Sequence, residues 1–555
     1  MVGVAGGTRR RVVGVAGAGC AVVSLALQAV TAAMGESAAV PGLGPATVLP
    51  PWDAAAGPDS VTVTVLLAVA VLFGIVAVAL GLVAVASGAR PSPRLVAVAG
   101  LAAVAVLVVV PPLGSADHLS YVAYGRIALA GDDPYTEAPG TWRDGRDPVA
   151  GAVQPPWREE PSVYGPVATA AQAAVAAVGD GSLRRTVWGL QLLVGVCFLL
   201  TAFALDRIAR TTGPGTPGAD EGGADEGGAE EGRTGGGRAG QGDGGPDPSG
   251  TARARVAVLW TVNPLLLGQL VLGAHLDAVA VAVATVAVAL LRRSPLAAGV
   301  LVGVAAGVKA PYALVGLAIC WALRGLPRRE ALAVAGRGLA GAALVLVPAH
   351  LWSGWHTYDQ AGRARRFVSF ATPWRLLVDR LDPVFGADAV RSAIGPAAVL
   401  VMVGIAVLLS RRLARVTFAG SARDPVPAAA ARAWLVLALA WVLAAPYALP
   451  WYDAILWAPL VLAAGTGTAG WVLLDAAVLT RLGVLALAYL PGRVVSLAPE
   501  VEAVTLGFRR EVAPWLVLAA ALTVLGWARQ RSRGARPQPR GSRPRPQGSP
   551  PSPAR

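Results

Sequence analysis

Charged side chains are scarce in this chain, and long stretches contain almost none. Asp, Glu, Lys and Arg together make up only 14% of the 555 residues, and the mean hydropathy is +0.58. The windows Val61–Ala86, Leu95–Val110 and Val256–Gly273 are apolar over lengths typical of membrane-crossing helices. Because backbone polar groups in lipid must be paired within their own segment, we predict helices there. The scarcity of charge therefore excludes an ordinary soluble globular protein.

Cysteine and lysine are rarer still. The three cysteines (Cys20, Cys197 and Cys320) lie in hydrophobic runs, a pattern that predicts neither a disulfide framework nor a metal site. Lys309 is the single lysine, so arginine supplies almost all of the basic charge. The formal net charge of +14 is concentrated in the tail and in clusters beside hydrophobic spans, as in cytoplasmic loops. Membrane orientation thus accounts for the charge, and no nucleic-acid partner is expected.

Placing the N-terminus inside predicts an all-α, polytopic integral protein of the plasma membrane. It has about 13 or 14 transmembrane helices and both termini cytoplasmic. The run Val12–Met34 follows three arginines and is predicted to be an uncleaved signal anchor. The stretch Pro295–Leu323 is too long for one span, so we predict a break at Gly307–Pro311. Asp475 and Arg481 are placed between the predicted spans 453–474 and 482–499.

The predicted regions alternate apolar helices with polar segments. They are N-terminal transmembrane helices 1–113, an external, candidate catalytic loop with an interfacial helix 114–182, a transmembrane helix 183–208, a disordered cytosolic linker 209–253, transmembrane helices 254–352, an external arginine-rich loop 353–391, transmembrane helices 392–528 and a disordered basic cytosolic tail 529–555. The linker is rich in Gly, Asp and Glu and cannot bury enough apolar surface to fold.

Residues 114–163 form a polar, acidic and aromatic-rich island directly after a hydrophobic run. The predicted topology places this island on the outer face, where all four histidines also fall: His118, His275, His350 and His356. Ionisable groups gathered at one membrane face indicate a functional site. The alternative is that outer loops are simply where polar residues are tolerated.

Several short motifs occur in a fixed order along the chain. They are the run Asp117–Arg126 (DHLSYVAYGR), Gly131-Asp132-Asp133-Pro134-Tyr135, Trp157 followed by Tyr164-Gly165-Pro166, Asn263-Pro264, the turn Gly273–Ala278 (GAHLDA) and the break Gly307–Pro311. In order and placement they resemble the GT-C superfamily of integral-membrane glycosyltransferases. The nearest likeness is to the actinobacterial polyprenol-phosphate-mannose-dependent α-1,6-mannosyltransferases, over residues 95–460. Leu276 stands where that family often has Asn, which weakens any role inferred for this turn.

The resemblance implies an inverting mannosyltransferase. Its donor would be polyprenyl-phosphate-mannose, its acceptor a lipid-anchored mannan, and its product an α-1,6 linkage in a lipomannan-type cell-envelope glycan. Asp117 matches the catalytic aspartate that these enzymes carry on their first external loop, which implies a general base. The acceptor hydroxyl needs such a base within hydrogen-bonding reach. The alternative is that Asp117 caps a loop helix, since Asp commonly precedes a helical run.

Cations near the outer face are candidates for holding the donor phosphate. The candidates are Lys309 at the helix break and, in the arginine-rich loop, Arg363, Arg365 and Arg366, with Arg375 and Arg380 nearby. A snorkelling lysine and ion pairs within the loop are the alternatives.

Further residues are expected to bind substrate: His118, Tyr121, Asp132, Asp133, Tyr135, His275, Asp277, Trp451, Tyr452 and Asp453. Asp132 and Asp133 precede Pro-Tyr and can equally form an Asx turn. As a carboxylate pair they can also bind a divalent cation. Otherwise we expect neither a metal site nor a cofactor.

Two rival functions remain open. One is a GT-C transferase of another sugar or linkage, α-1,2-mannosyl or arabinosyl. The other is a lipid-linked sugar transporter or flippase, which predicts internal repeats and ionisable groups at the bilayer midplane. Asp475 and Arg481 are the residues that would favour the transporter if they lined a pore.

Overall fold

The computed structural model describes residues 2–210, 248–364, 367–414, 424–463, 469–493 and 497–530, together with residues 416, 418 and 419. Helices make up most of these residues, and the described part contains no β-strand, only an isolated bridge between Phe418 and Ala463. Most of the predicted linker and tail, residues 211–247 and 531–555, lies outside the described residues. The all-α class predicted from hydropathy is confirmed.

The α-helices follow the chain in this order: α1 Val2–Ala33, α2 Ser60–Ala86, α3 Pro93–Leu107, α4 Asp117–Leu129, α5 Pro166–Gly179, α6 Leu183–Arg210, α7 Pro248–Val256, α8 Pro264–Leu266, α9 Asp277–Leu290, α10 Pro295–Val308, α11 Ala313–Ala322, α12 Arg328–Ser353, α13 Asp359–Ala364, α14 Pro373–Phe385, α15 Ala387–Leu413, α16 Pro425–Ala444, α17 Ala454–Val461, α18 Ala469–Ala488, α19 Pro499–Gly507 and α20 Ala513–Arg529. Three π-helical segments, Ala257–Thr261, Leu267–Leu272 and Phe508–Val512, interrupt or join them.

Eight helical segments of the described chain are long and apolar enough to cross a membrane. They are Arg10–Ala33, Ser60–Ala86, Leu183–Arg210, Ser249–Leu272, Arg328–Ser353, Ala387–Leu413, Pro425–Ala444 and Pro499–Arg529. Five shorter apolar helices of 10–17 residues accompany them. The chain is therefore a polytopic α-helical membrane protein.

Helix boundaries follow local sequence signals. The predicted break in Pro295–Leu323 is present, because α10 ends at Val308 and α11 begins at Ala313. The predicted third span, Leu95–Leu113, is shorter than expected, since α3 ends at Leu107 ahead of Pro111-Pro112. Asn263 is the N-cap of the short helix α8. Its side chain accepts hydrogen bonds from the N–H groups of Leu265 and Leu266 at 3.0 and 3.4 Å.

The C-terminal spans differ from the prediction. The expected span 453–474 is not one helix, since α17 ends at Val461. Helix α18 instead runs through both Asp475 and Arg481, which we had placed between two spans. It can continue through these charges because each has a buried partner.

Two ion pairs tie α18 to the rest of the protein. Asp475 accepts from Arg255 at 2.6 and 2.9 Å, with both side chains at least nine-tenths buried. Arg481 pairs with Asp453, which has no exposed surface, and also donates to the carbonyl of Val442 at 2.9 Å. Neither Asp475 nor Arg481 therefore provides the free pore-lining charge that would favour a transporter.

Replacing Asp475 removes the carboxylate that accepts two hydrogen bonds from the buried guanidinium of Arg255. We expect Asp475→Asn to lower the free energy of unfolding by about 3–5 kcal/mol. The change is measured as a fall in the apparent melting temperature of the protein in detergent. Replacing both residues with apolar ones, Arg255→Met with Asp475→Leu, is expected to restore most of the loss.

The surface pair Arg292–Glu330 provides the control. Both side chains are about one-third exposed or more, so Glu330→Gln is expected to cost less than about 1 kcal/mol. Equal effects of Glu330→Gln and Asp475→Asn would contradict a special role for the buried pair.

Candidate active site

Asp117 is the first residue of α4, and a loop connects it to the end of α3. The N-cap position is occupied by Ala116, which has no side chain that can cap the helix. The Asp117 N–H donates to the hydroxyl of Ser115 at 3.0 Å, and the Asp117 side chain retains 15% of its exposure. The carboxylate is therefore not an N-cap, and it remains available for contacts outside its own helix.

His275 lies next to Asp117 and is held from both sides. The turn preceding α9 follows a π-helical segment, and Ala274 has a φ of 53°, which directs the chain back toward α4. The His275 Nδ1 atom lies 3.8 Å from the Asp117 carboxylate and 3.3 Å from the hydroxyl of Tyr121. Its ring stacks on Trp451, with centroids 3.7 Å apart and an interplanar angle of 11°. The imidazole therefore has one fixed orientation.

Lys309 is placed by the break between α10 and α11. Its ammonium donates to both carboxylate oxygens of Asp277, at 2.7 and 2.8 Å, and lies 3.6 Å from the centre of the Tyr452 ring. The Tyr312 hydroxyl donates to the Asp277 carbonyl at 3.2 Å. The charge of Lys309 is therefore balanced by Asp277, and its role as a free phosphate ligand stays a prediction.

The Tyr164-Gly165-Pro166 motif packs directly on this break. The Gly165 N–H donates to the Val308 carbonyl at 3.4 Å, and a Cβ at Gly165 would lie 2.2 Å from the carbonyl oxygen of Gly307. Glycine is therefore required for this approach. The contact brings the Tyr164 hydroxyl within 3.3 Å of the Tyr121 hydroxyl, with the two rings edge to face at 4.9 Å.

The electrostatics of this cluster favour a carboxylate base. Burial raises the pKa of Asp117 to about 6, while the nearby Lys309 acts in the opposite direction. Burial also lowers the pKa of His275 well below its ordinary value, so the imidazole is neutral. At neutral pH the Asp117 carboxyl is then mostly ionised, and it lies near the Asp277–Lys309 ion pair. The cluster thus combines a carboxylate at its accessible edge with the hydroxyls of Tyr121 and Tyr164.

Accessibility separates the members of the cluster. Tyr121, His275, Asp277 and Trp451 are buried, whereas Asp117, Tyr164, Lys309 and Tyr452 are only partly buried. The partly buried group therefore forms the face that a substrate can reach. The buried residues contact the partly buried ones from behind and hold their side chains in position.

Asp132, Asp133 and Tyr135 build the island rather than this cluster. Asp132 accepts from the Trp142 indole at 2.8 Å, and the Tyr135 hydroxyl bonds Thr169 at 2.7 Å. Asp133 accepts from the Tyr135 N–H at 2.9 Å, which is the Asx turn considered from the sequence, and its other oxygen lies 2.6 Å from His356. In the structure these three residues therefore make contacts that stabilise the fold of the island.

His118 and Asp453 are sequence neighbours of the cluster residues Asp117 and Tyr452, but their own side chains are fully buried. Neither ring nitrogen of His118 has a hydrogen-bond partner among the described residues, and burial lowers the pKa of His118 to about 3. Asp453 supports the Trp451-Tyr452 turn from behind through its pair with Arg481. Neither has a surface that faces a substrate in this structure.

The arginines predicted to bind phosphate are not described in full. Arg365 and Arg366 lie outside the described residues, as does the side chain of Arg363. Within the described part, no group of three or more His, Cys, Asp or Glu residues could hold a metal ion.

Some residues of the site were not singled out from the sequence. Tyr164 was quoted within a motif but given no role, and Tyr312 and Tyr489 carried no signal beyond being aromatic. Trp451 contacts Tyr489, with ring centroids 6.4 Å apart. Tyr489 in turn donates to the Ala448 carbonyl at 3.1 Å. These contacts join residues about 40 positions apart, which no local spacing reveals.

Fold and site together define a polytopic membrane protein whose helix ends enclose a carboxylate, histidine, lysine and tyrosine cluster. The sequence model of a protein family, described as "Alpha-(1->6)-mannopyranosyltransferase, N-terminal domain", matches residues 11–219 and 248–325. The chain therefore belongs to this family. The matched part includes Asp117, His275 and Lys309.

A curated relative from Mycolicibacterium smegmatis, named as a probable alpha-(1->6)-mannopyranosyltransferase, is 34% identical over 108 residues. The aligned segment spans 19% of this chain and 19% of that relative. No solved structure matches the chain.

The close approach of Gly165 to Gly307 generates a prediction. Gly165→Ala is expected to force the two backbones apart, to cost about 1–3 kcal/mol of stability and to displace Tyr164 and Lys309. The apparent melting temperature in detergent measures the effect. Gly325→Ala is the matched control, because a Cβ there meets nothing within 4 Å. A Gly165→Ala protein as stable as the Gly325→Ala protein would contradict the proposed packing.

Proposed function

We propose that this protein is an inverting α-1,6-mannosyltransferase. It transfers mannose from polyprenyl-phosphate-mannose to a lipid-anchored mannan acceptor and contributes to a lipomannan-type cell-envelope glycan. The site lies on the outer face of the plasma membrane, with both termini in the cytoplasm. Family membership supports the transferred sugar and the linkage. The donor, acceptor and orientation are inferred from the resemblance and from the charge pattern of the sequence.

The observation that carries the proposal is the environment of Asp117. Its carboxylate is partly accessible, is not used as a helix cap, and has His275 and Tyr121 fixed beside it. A pKa of about 6 makes it mostly ionised at neutral pH yet basic enough to accept a proton. These are the properties that a general base requires.

The reaction needs one displacement. Asp117 takes the proton from the 6-hydroxyl of the acceptor mannose as that oxygen attacks C1 of the donor mannose. The bond between C1 and the phosphate oxygen breaks, and its electron pair leaves with the polyprenyl phosphate. Attack opposite to the leaving group inverts the configuration at C1. The Tyr164 hydroxyl and the Tyr452 ring border the accessible face, where they can orient the two sugars.

Asp475 and Arg481 are each held in a buried ion pair, so neither residue supports the transporter hypothesis. A transferase of another sugar differs in the sugar of its donor, and one of another linkage differs in the acceptor hydroxyl that attacks. Product analysis of the transfer reaction separates these two possibilities.

Transfer is tested with purified protein, labelled polyprenyl-phosphate-mannose and a short α-1,6-mannoside acceptor. We expect Asp117→Asn to lower kcat by at least about 100-fold, because the amide cannot accept the proton. The control is Asp144→Asn, which changes an exposed aspartate of the same loop at a left-handed position that Asn tolerates. Full activity of Asp117→Asn would contradict the base, and no transfer by the wild type would contradict the function.

The pH dependence provides a second test. Since Asp117 must be deprotonated to act, kcat/KM is expected to rise with pH through about 6 and then level off. Lys309 favours the ionised form of Asp117, so Lys309→Gln is expected to raise the pKa of Asp117 and to move the rising limb to higher pH. A higher donor KM with an unmoved limb would instead indicate that Lys309 binds the phosphate.

A further inference from the structure

Three arginines that are far apart or unremarkable in the sequence gather around two aromatic rings. The guanidinium groups of Arg375, in α14, and Arg510, in the π-helical segment before α20, both lie over the Phe370 ring, at 4.9 and 4.5 Å from its centre. The guanidinium of Arg509 lies 4.6 Å from the centre of the Tyr489 ring. The two parts of the group are linked, because Arg509 and Arg510 are consecutive and the Tyr489 hydroxyl donates at 3.2 Å to Ser369, the residue before Phe370.

The positive charge of this group is only partly balanced. Arg375 pairs with Asp379 at 2.5 Å, but its Nε atom is buried and lacks a hydrogen-bond partner among the described residues. Arg509 donates to the Ala488 carbonyl at 2.5 Å. Within the described part of the chain, no carboxylate forms an ion pair with Arg509 or Arg510. Neighbouring like charges repel, so this group of arginines favours the binding of an anion.

Stacking leaves the guanidinium groups ready to bind an anion. A guanidinium that lies flat on a ring keeps its N–H edge available, and that edge matches two oxygens of a phosphate. Phe370 and Tyr489 therefore hold the arginines in place without using up their donors. The same rings offer apolar surface to an attached hydrocarbon chain.

The arginine group is connected to Asp117 through direct contacts. Tyr489 touches Trp451, which stacks on His275, and the His275 ring lies beside the Asp117 carboxylate. The cationic group and the carboxylate cluster thus lie at the same end of the helix bundle, with aromatic side chains between them.

We infer that Arg375, Arg509 and Arg510 form the binding site for the phosphate of a polyprenyl monophosphate, as carried by the donor and by the leaving product. This inference rests on the proposed function for the identity of the lipid. The site stabilises the negative charge that develops on the phosphate when the bond to C1 breaks. It also assigns cations to the phosphate in place of Lys309, whose charge is balanced by Asp277.

Binding of polyprenyl phosphate to the full-length protein in nanodiscs tests this inference without requiring catalysis. Arg510 is exposed, so Arg510→Gln is not expected to disturb folding. We expect it to weaken polyprenyl phosphate binding about tenfold or more and to leave binding of the uncharged polyprenol unchanged. Arg510→Lys keeps the positive charge but lacks the forked guanidinium group. We therefore expect its affinity for polyprenyl phosphate to lie between those of Arg510→Gln and the wild type.

Matched controls separate a specific site from general attraction. Arg391→Gln removes an exposed arginine at the start of α15 and is expected to bind polyprenyl phosphate as the wild type does. Phosphatidylglycerol, which carries a phosphodiester on a different lipid, is expected not to compete. Equal competition by phosphatidylglycerol would overturn the assignment to polyprenyl phosphate, as would wild-type binding by both Arg510→Gln and Arg509→Gln.

The failure of this inference can be told apart from a failure of the proposed function. Asp117→Asn is expected to bind polyprenyl phosphate normally, because the base does not contact the phosphate. Mannose transfer that persists with an unchanged donor KM in Arg510→Gln would overturn the phosphate site alone. Absence of transfer in the wild type would overturn the function while leaving the binding result to stand.

Discussion

The ion pair between Lys309 and Asp277 is the interaction on which the rest of the site depends. It joins the start of α9 to the end of α10, and both ends carry other parts of the site. A charge buried in a membrane protein must be paired, so neither residue can leave its position cheaply. His275 precedes Asp277 by two residues and is thereby fixed beside Asp117. On the other side, the break that supplies Lys309 also receives Gly165 and so positions Tyr164.

Charge balance divides the enclosed region into two parts with different chemistry. Around Asp117 the net charge is negative, which suits proton removal from a neutral hydroxyl. Around Phe370 the net charge is positive, which suits a leaving phosphate. The aromatic residues Trp451 and Tyr489 link the two parts, because Trp451 stacks on His275 and Arg509 lies over the Tyr489 ring.

The sequence predicted the membrane helices and several features of the site, because these depend on local signals. Apolar length indicated the spans, and the Gly307–Pro311 sequence indicated a break that the structure contains. The course of α18 was not predictable, since its charges are compatible with a buried helix only once Arg255 and Asp453 are in contact with it. Arg509 and Arg510 resemble ordinary flanking charges of a span in the sequence, and only their contacts with the rings of Tyr489 and Phe370 distinguish them.

The central claim, that Asp117 removes the proton from the acceptor hydroxyl, is tested most directly by an experimental structure of the complex. The protein would be captured with a non-transferable polyprenyl-phosphate-mannose analogue and an α-1,6-mannoside acceptor. The account predicts an Asp117 carboxylate oxygen at about 2.6–3.2 Å from the acceptor 6-hydroxyl, on the face of C1 opposite the phosphate. An acceptor hydroxyl bound to another carboxylate, with Asp117 out of reach, would contradict it.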